Sequence, residues 1–435
     1  MIETLKSIIL DFQEVELETG IPRGLKISTV PGKASVCIGV RRSGKSTYLF
    51  QIITRLMDEG IPRENILYLN FFDDRLHNLK RIGLGSITEA YYSLYPEKKN
   101  AETVYCFFDE IQAIDGWEPF VDRLMRTEQC RVYITGSSAH MLSRDIATQM
   151  RGRALSWELF PFSFREFLCY KGIDATGHLP TKKRLLVQKA CEEYWETGGF
   201  PEVIGLDRHL RTKIHQEYFH AILFRDLIER HDVSHPKALT DLAHRLIDNT
   251  ASLYSVNSLT GYLKSLGHKA PKSAVSAYLE WFEDAYFLFT VRIFDASLAR
   301  SNTNPKKIYC IDHALVTSVA SGILVNAGHL LENLVFTALR RLTAAIYYSK
   351  TQGGLEVDFL ASFQDRSRML VQVCESMAEP QTRKREVAAL SAAMAEYGLK
   401  SGIVVTRNEE DKIHVDAGKI EVVPIWRFLL NLPET

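Results

Sequence analysis

Gly39-Val40-Arg41-Arg42-Ser43-Gly44-Lys45-Ser46-Thr47 decides how this chain is read. Two glycines bracket four other residues, and a lysine and a hydroxyl residue follow. This is the pattern of a phosphate-binding loop. Its context matters as much as its letters. Ala34 to Ile38 is an apolar run of strand length, and Tyr48 to Met57 reads as a helix. Between a strand and a helix, successive backbone N–H groups of such a loop curl around the β- and γ-phosphates of a nucleotide. The helix N-terminus adds the positive end of its dipole. The backbone from Gly39 to Thr47 is therefore the candidate cradle. Within it Lys45 is placed to reach the outer phosphates and Ser46 to ligate Mg²⁺. Gly39 and Gly44 permit an approach that a Cβ would block. The side chains of Arg41 and Arg42 read as facing outward or pairing locally.

A second signature follows. Val104-Tyr105-Cys106-Phe107-Phe108 is an apolar strand that ends in Asp109-Glu110. Asp109 fits an outer contact to Mg²⁺, and Glu110 is then placed to orient and deprotonate the attacking water. A buried strand running into an acidic turn is common by itself; the loop upstream makes the pair a catalytic candidate. The next strand, Arg131 to Thr135, ends in Gly136-Ser137-Ser138. Thr135 or Ser137 can hydrogen-bond the γ-phosphate or the water, and Ser137 or Ser138 can equally cap a helix. In Arg151-Gly152-Arg153, Arg151 ahead of Arg153 is the candidate that neutralises charge on the transferring phosphoryl group, in cis or in trans.

Composition narrows the rest. Lys+Arg and Asp+Glu are equal at 53 each in 435 residues, so bulk charge favours neither nucleic acid nor acidic partners. Met1 to Glu18 lacks a signal-peptide layout. Ala314 to Leu331 carries no Asp, Glu, Lys or Arg, but its polar residues and glycines read as a buried helix, a loop and a second helix start rather than a membrane span. None of the seven cysteines forms a Cys-x-x-Cys pair. Cys37, Cys106, Cys310 and Cys374 read as buried, reduced thiols in strand-like runs, and the setting as cytoplasmic.

Along the first third, short apolar runs alternate with helical patterns: Leu25 to Val30, Ala34 to Ile38, Ile66 to Phe71, Val104 to Phe108, Val132 to Thr135 and Leu155 to Leu159. That alternation predicts a mostly parallel sheet with helices on both faces, and ligands beyond the C-terminal strand ends. From Phe164 to Arg230 the pattern is helical. Helices over Leu239 to Asn249, Val256 to Leu266 and Ser273 to Phe287, then a β-rich stretch to Phe294, are compatible with a winged helix. Lys264, His268, Lys269 and Lys272 gather at its turn, where they can meet DNA phosphates or lie in a solvated loop.

The motifs taken in order resemble a family. The loop at Gly39 to Thr47, Phe107 to Gln112, Ile134 to Ser138, Arg151 to Arg153 and Pro161 to Phe167 look like bacterial and archaeal AAA-like P-loop ATPases. The C-terminal half of those proteins is a domain of unknown function. Gly198-Gly199-Phe200-Pro201, Phe224 to Leu227 and Glu332 to Phe336 resemble that half. The resemblance covers nearly the whole chain. It implies an α/β fold: a P-loop NTPase parallel sheet of the additional-strand type using a catalytic Glu. A helical and winged-helix middle and an α/β restriction-endonuclease-like C-terminal domain follow. The expected boundaries are 1–165 for the ATPase domain, 166–235 for a helical lid or connector, 236–325 for the winged-helix segment and 326–435 for the last domain. The resemblance also implies ATP over GTP, and no Asn-Lys-x-Asp guanine motif is evident.

Nucleases of that last fold gather a helix Glu, a strand Asp and an acid-x-Lys on the next strand, with carboxylates on Mg²⁺ and Lys aligning the water. Glu332 fits the helix acid and Glu356-Val357-Asp358 the strand acid. Gln372 then stands where a carboxylate is usual and Cys374 where Lys is usual. Lys350 and Lys384 are the lysines that could substitute from elsewhere, but nothing in the sequence shows that they do, and the domain is expected to be an inactive structural or nucleic-acid-docking relic. The expected function is Mg²⁺-dependent ATP binding and hydrolysis coupled to a macromolecular partner, either DNA through the winged-helix segment or a protein. The alternatives are a nucleotide-dependent switch with negligible turnover and, last, a DNA nuclease. Self-association is open to it, and no membrane is implied. Ile21 to Gly24 is the candidate segment for the adenine.

Overall fold

β1 (Ala34–Ile38) is buried at every residue, as a central strand covered on both faces must be. In the computed structural model, which describes residues 1–136, 150, 152–320 and 326–433, the chain forms two units, Met1–Phe160 and Pro161–Thr435. The first holds β1, β2 (Ile66–Asn70), β3 (Val104–Asp109), β4 (Cys130–Gly136) and β5 (Ala154–Glu158). They form one parallel sheet in the order β2-β3-β4-β1-β5. β4 thus sits between the strand that enters the phosphate loop and the strand that ends in Asp109-Glu110. This is the additional-strand arrangement.

Alternation along β3 builds both layers. Phe107 stacks on Tyr133 at 4.5 Å and joins a core with Phe12 of α1 (Ile2–Glu14) and Leu49, Ile52 and Ile53 of α2 (Lys45–Asp58). Phe108 points to the other face, where it meets Phe120 of the helix Trp117–Thr127. The period of two along a strand assigns each ring to a layer.

Leu25 to Val30 is not a strand, contrary to the sequence expectation. Both edges of β1 are already taken by β4 and β5. The segment's backbone is held by side chains of α2 instead. Tyr48 Oη donates to Leu25 O at 2.7 Å and accepts from Ile27 N at 3.3 Å, and just upstream Gln51 Nε2 donates to Thr19 O at 2.6 Å and Ile21 O at 2.7 Å. Pro31-Gly32 forms the expected turn.

The second unit opens with a capping box, Ser163 to Glu166, at the helix Phe164–Tyr170. The helices Pro236–Asp248, Val256–Ser265 and Lys272–Asp284 follow later, with β6 (Leu253–Tyr254) between the first two. Next come β7 (Leu288–Ile293), β8 (Lys306–Cys310), β9 (Ile346–Lys350), β10 (Glu356–Ser362), β11 (Arg368–Val373), β12 (Ser401–Thr406), β13 (Asp411–Val415) and β14 (Gly418–Pro424). All nine strands join one mixed sheet, β13-β14-β12-β11-β10-β9-β7-β8-β6. The sequence reading divides this region at 235 and 325; the sheet runs through the second of those positions by the parallel pairing of β7 with β9. The helix Pro380–Tyr397 packs Leu390 and Met394 on one face of the sheet. The helix Ala327–Arg340 brings Phe336 to within 4.4 Å of Tyr309 on β8. No helix among the described residues is long and apolar enough to cross a membrane.

Candidate functional site

The parallel register brings three strand ends together. Ile38 of β1 pairs with Gly136 of β4, and Phe108 of β3 pairs with Ile134. The loop after β1 and the acids at the end of β3 therefore share one edge of the sheet, where open parallel sheets bind ligands.

Gly39 passes so close to β5 that a Cβ there would stand 2.1 Å from Leu159 O; only glycine fits. The chain then turns through Arg42, exposed and at φ 66°, and Gly44 at φ 93°, to start α2 at Lys45. Lys45 is buried, and its ammonium donates to Gly39 O at 3.2 Å and Val40 O at 3.0 Å. Ser46 and Thr47 occupy the first turn, half-buried. Ser43 is buried with an Oγ that has no hydrogen-bond partner. A buried orphan hydroxyl costs about 1–3 kcal/mol, and such a group inside a loop of aligned N–H donors fits a site built for an anion. From behind, Arg23 Nη1 donates to Ser43 O at 2.8 Å and Arg23 Nη2 to Phe160 O at 2.5 Å. Its N–H donates to Gln51 Oε1 at 3.2 Å. Sequence reasoning missed this buttress, because an arginine's target twenty residues downstream leaves no local pattern.

Burial holds the Cys37 thiol up to about 12, against the lowering pull of Lys45, so it stays a neutral apolar filler beneath the loop. Asp109 is fully buried at the end of β3. Tyr68 Oη donates to its Oδ2 at 2.9 Å, and Thr135 Oγ1 donates to its Oδ1. Burial first, and then the neighbouring Asp109 charge, push the Tyr68 hydroxyl far up and keep it a donor. Thr135 Oγ1 also accepts from Glu110 N at 3.0 Å. One hydroxyl thus ties both acids, and Thr135, read from sequence as a phosphate contact, is engaged within the protein. Glu110 is half-buried at φ 52°, ψ 41°, which turns it off the strand direction, and its Oε2 accepts from Gln112 Nε2.

Ser137 and Arg151 lie outside the described residues. Arg153 pairs with Asp122 at 3.1 Å on the helix Trp117–Thr127.

In the second unit two of the family-like motifs make close packing contacts. Gly198 has its Cα where a Cβ would stand 2.3 Å from Asp312 Oδ1, and Gly199 N donates to Asp312 Oδ2 at 2.7 Å. Asn333 brackets the Cys310 peptide, accepting from its N–H at 2.7 Å and donating to its C=O at 3.0 Å. Cys37, Cys106 and Cys310 are buried as expected. Cys374 is half-buried just past β11. Gln372 Oε1 accepts from Asp358 N at 3.1 Å, while its Nε2 donates to Glu386 at 2.7 Å. Burial and the Asp358 charge push the Glu332 carboxyl above its ordinary range.

A glycine-bracketed loop after β1, an acid pair after β3 and a fourth strand inserted between them define a P-loop domain of the AAA-like, additional-strand class. The chain matches the family models for an AAA domain over residues 32–168, a domain of unknown function (DUF8612) over 188–323 and another (DUF4143) over 327–428. It is 34% identical to the uncharacterized protein MJ1544 of Methanocaldococcus jannaschii, over 98% of this chain and 95% of that protein. An uncharacterized protein of Haemophilus influenzae is 31% identical over 91% and 94% of the two chains. The chain belongs to this family of proteins, in which an AAA P-loop domain precedes domains of unknown function. Among solved structures, the Aeropyrum pernix ORC1 protein in complex with DNA aligns with 72% of this chain and 91% of that chain, at 11% identity and TM-score 0.29. AMPPCP-bound DnaA from Aquifex aeolicus aligns with 64% and 86%, at 12% identity and TM-score 0.27. Neither likeness is close enough to carry an argument.

Proposed function

We propose that this chain is a Mg²⁺-dependent ATPase that couples its nucleotide state to a macromolecular partner. The observation that carries the reading is the loop itself. It combines an unpartnered, buried Ser43 hydroxyl with a buried Lys45 ammonium held on loop carbonyls, at the same sheet edge as two acids. The N–H groups of residues 39–47 and the Lys45 ammonium would hold the phosphates. Ser46 Oγ would ligate the metal directly. Asp109 would hold it through water, because each of its oxygens keeps a lone pair beyond the bonds from Tyr68 and Thr135. Bound Mg²⁺ would neutralise charge on the β- and γ-oxygens. Glu110 would take the proton from the attacking water. Ser137 is proposed at the γ-phosphate and Arg151 as the charge-neutralising guanidinium, and the Ile21 to Gly24 segment beside the loop is proposed for the adenine.

For the partner, the segment 236–325 is proposed as a DNA-contacting winged helix. Lys264, Lys269 and Lys272 are exposed there. His268 is turned inward to Asp241 at 2.6 Å and is not counted among the phosphate contacts.

A phosphate-release assay with and without DNA tests the catalytic reading. Glu110→Gln should keep ATP binding and lower turnover by about 10²-fold or more. Turnover at the wild-type rate would remove Glu110 from the role of base. One observation favours a second reading, a switch with negligible turnover: Gln112 occupies a carboxylate oxygen of Glu110. The same assay separates the two, since the switch predicts no steady-state phosphate release in the wild type.

A further inference from the structure

Lys307, on β8, is only 4% exposed, yet three carboxylates surround its ammonium. Asp358 Oδ1 lies at 2.8 Å, Glu332 Oε1 at 2.9 Å and Glu356 Oε1 at 3.0 Å. Tyr309 Oη donates to the same Glu332 oxygen at 2.6 Å, and Val373 N donates to Asp358 Oδ2 at 2.9 Å. These are the acids that fit the nuclease pattern, and they do converge. The cation among them belongs to the chain itself.

That placement has two physical consequences. Buried carboxylates without a counter-ion are strongly destabilising, so the ammonium is what permits the cluster. A Mg²⁺ or Mn²⁺ ion needs several oxygens at about 2.0–2.1 Å; here the converging oxygens are spaced around a nitrogen at hydrogen-bond distance. Among the described residues no group of three His, Cys, Asp or Glu is disposed to hold a metal ion. Lys307 comes from the strand hairpin that precedes residue 326, whereas all three acids follow it.

We propose that Lys307 is the resident cation of this cluster. Its ammonium takes the place of a divalent ion and fastens β8 to β10 and to the helix Ala327–Arg340. The nuclease-like acids serve as a clasp between the segment before 326 and the domain after it, and they perform no metal chemistry.

Mn²⁺ titration of the full-length, nucleotide-free protein, followed by the paramagnetic resonance of free Mn²⁺, tests this. The wild-type isotherm should be unchanged by Glu356→Gln or Asp358→Asn. Lys307→Met should gain a single Mn²⁺ site, at least about tenfold tighter than any in the wild type, and that site should vanish in Lys307→Met combined with Asp358→Asn. A wild-type site weakened by Glu356→Gln or Asp358→Asn would overturn the proposal. Mn²⁺-dependent plasmid nicking lost in Lys307→Met would do so more strongly, since Lys307 would then be a working lysine beside a metal. A Lys307→Met chain that folds without gaining a site also contradicts it. If that variant does not fold, the Glu356→Gln comparison decides alone, because Glu356 is the most exposed of the three acids.

Discussion

Thr135 Oγ1 donates to Asp109 and accepts from the Glu110 backbone, so one hydroxyl sets the relative position of the two acids proposed to hold the metal and to activate the water. Valine at 135 keeps the shape and removes both bonds. It leaves a buried Asp109 oxygen and a half-buried N–H without that partner, at a cost of about 1–3 kcal/mol. Thr135→Val should therefore lower the thermal midpoint and reduce phosphate release about tenfold or more, with ATP affinity little changed. Unaltered release would show that the acids hold their geometry without the tie. Much of this site was legible at the level of single residues. Lys45, Ser46, Asp109 and Glu110 stand out as candidates because phosphate and metal chemistry asks for those types at that spacing, and the strand register does bring the loop and the two acids to one sheet edge. Thr135 and Arg23 do not, because their partners are set by strand order: Thr135 reaches β3 from β4, and Arg23 reaches the loop from a segment with no regular structure.

At the scale of elements, β1 to β5 were readable from apolar runs because a buried parallel strand must be apolar on both faces. Leu25 to Val30 has the same look, and it failed as a strand because no free edge remained beside β1. Its apolar residues serve instead to cover α2, where Ile27 is buried. The Gly198-Gly199-Phe200-Pro201 motif marks a tight packing contact. Gly198 sits at φ 73° with Asp312 Oδ1 in the space of a side chain, and Asp312 also caps the helix His313–Val319 through Ala314 N and Leu315 N. Gly198→Ala should destabilise the second unit by about 2–3 kcal/mol, from backbone strain and displacement of that carboxylate. Urea unfolding measures it; a loss under about 0.5 kcal/mol would mean that the contact relaxes freely.

At the scale of the molecule, the second unit is one sheet in which sequence reading placed two domain boundaries. The pairing of β7 with β9 crosses the expected boundary at 325, so the segments before and after it share one sheet. This unit also carries two buried histidines. Burial lowers the pKa of His313, whose Nε2 lies 3.1 Å from Tyr194 O, and that of His215, whose Nδ1 lies 2.9 Å from Ser318 Oγ. Near pH 7 and above, both are neutral whether folded or unfolded, so their contribution is fully present. As pH falls through the ordinary value of 6.5, the unfolded chain takes up protons first and stability is lost. Unfolding midpoints should therefore drop between about pH 7 and pH 5, and His313→Gln should flatten the slope. A slope that steepened in the variant would contradict the burial argument.

The central claim is that the loop from Gly39 to Thr47 holds the phosphates of a nucleotide. Isothermal titration of ATP into the full-length protein in magnesium buffer tests it most directly. The account predicts saturable heat for the wild type and none for Lys45→Ala, with both proteins folded. No heat in the wild type, or equal affinity in Lys45→Ala, would contradict it.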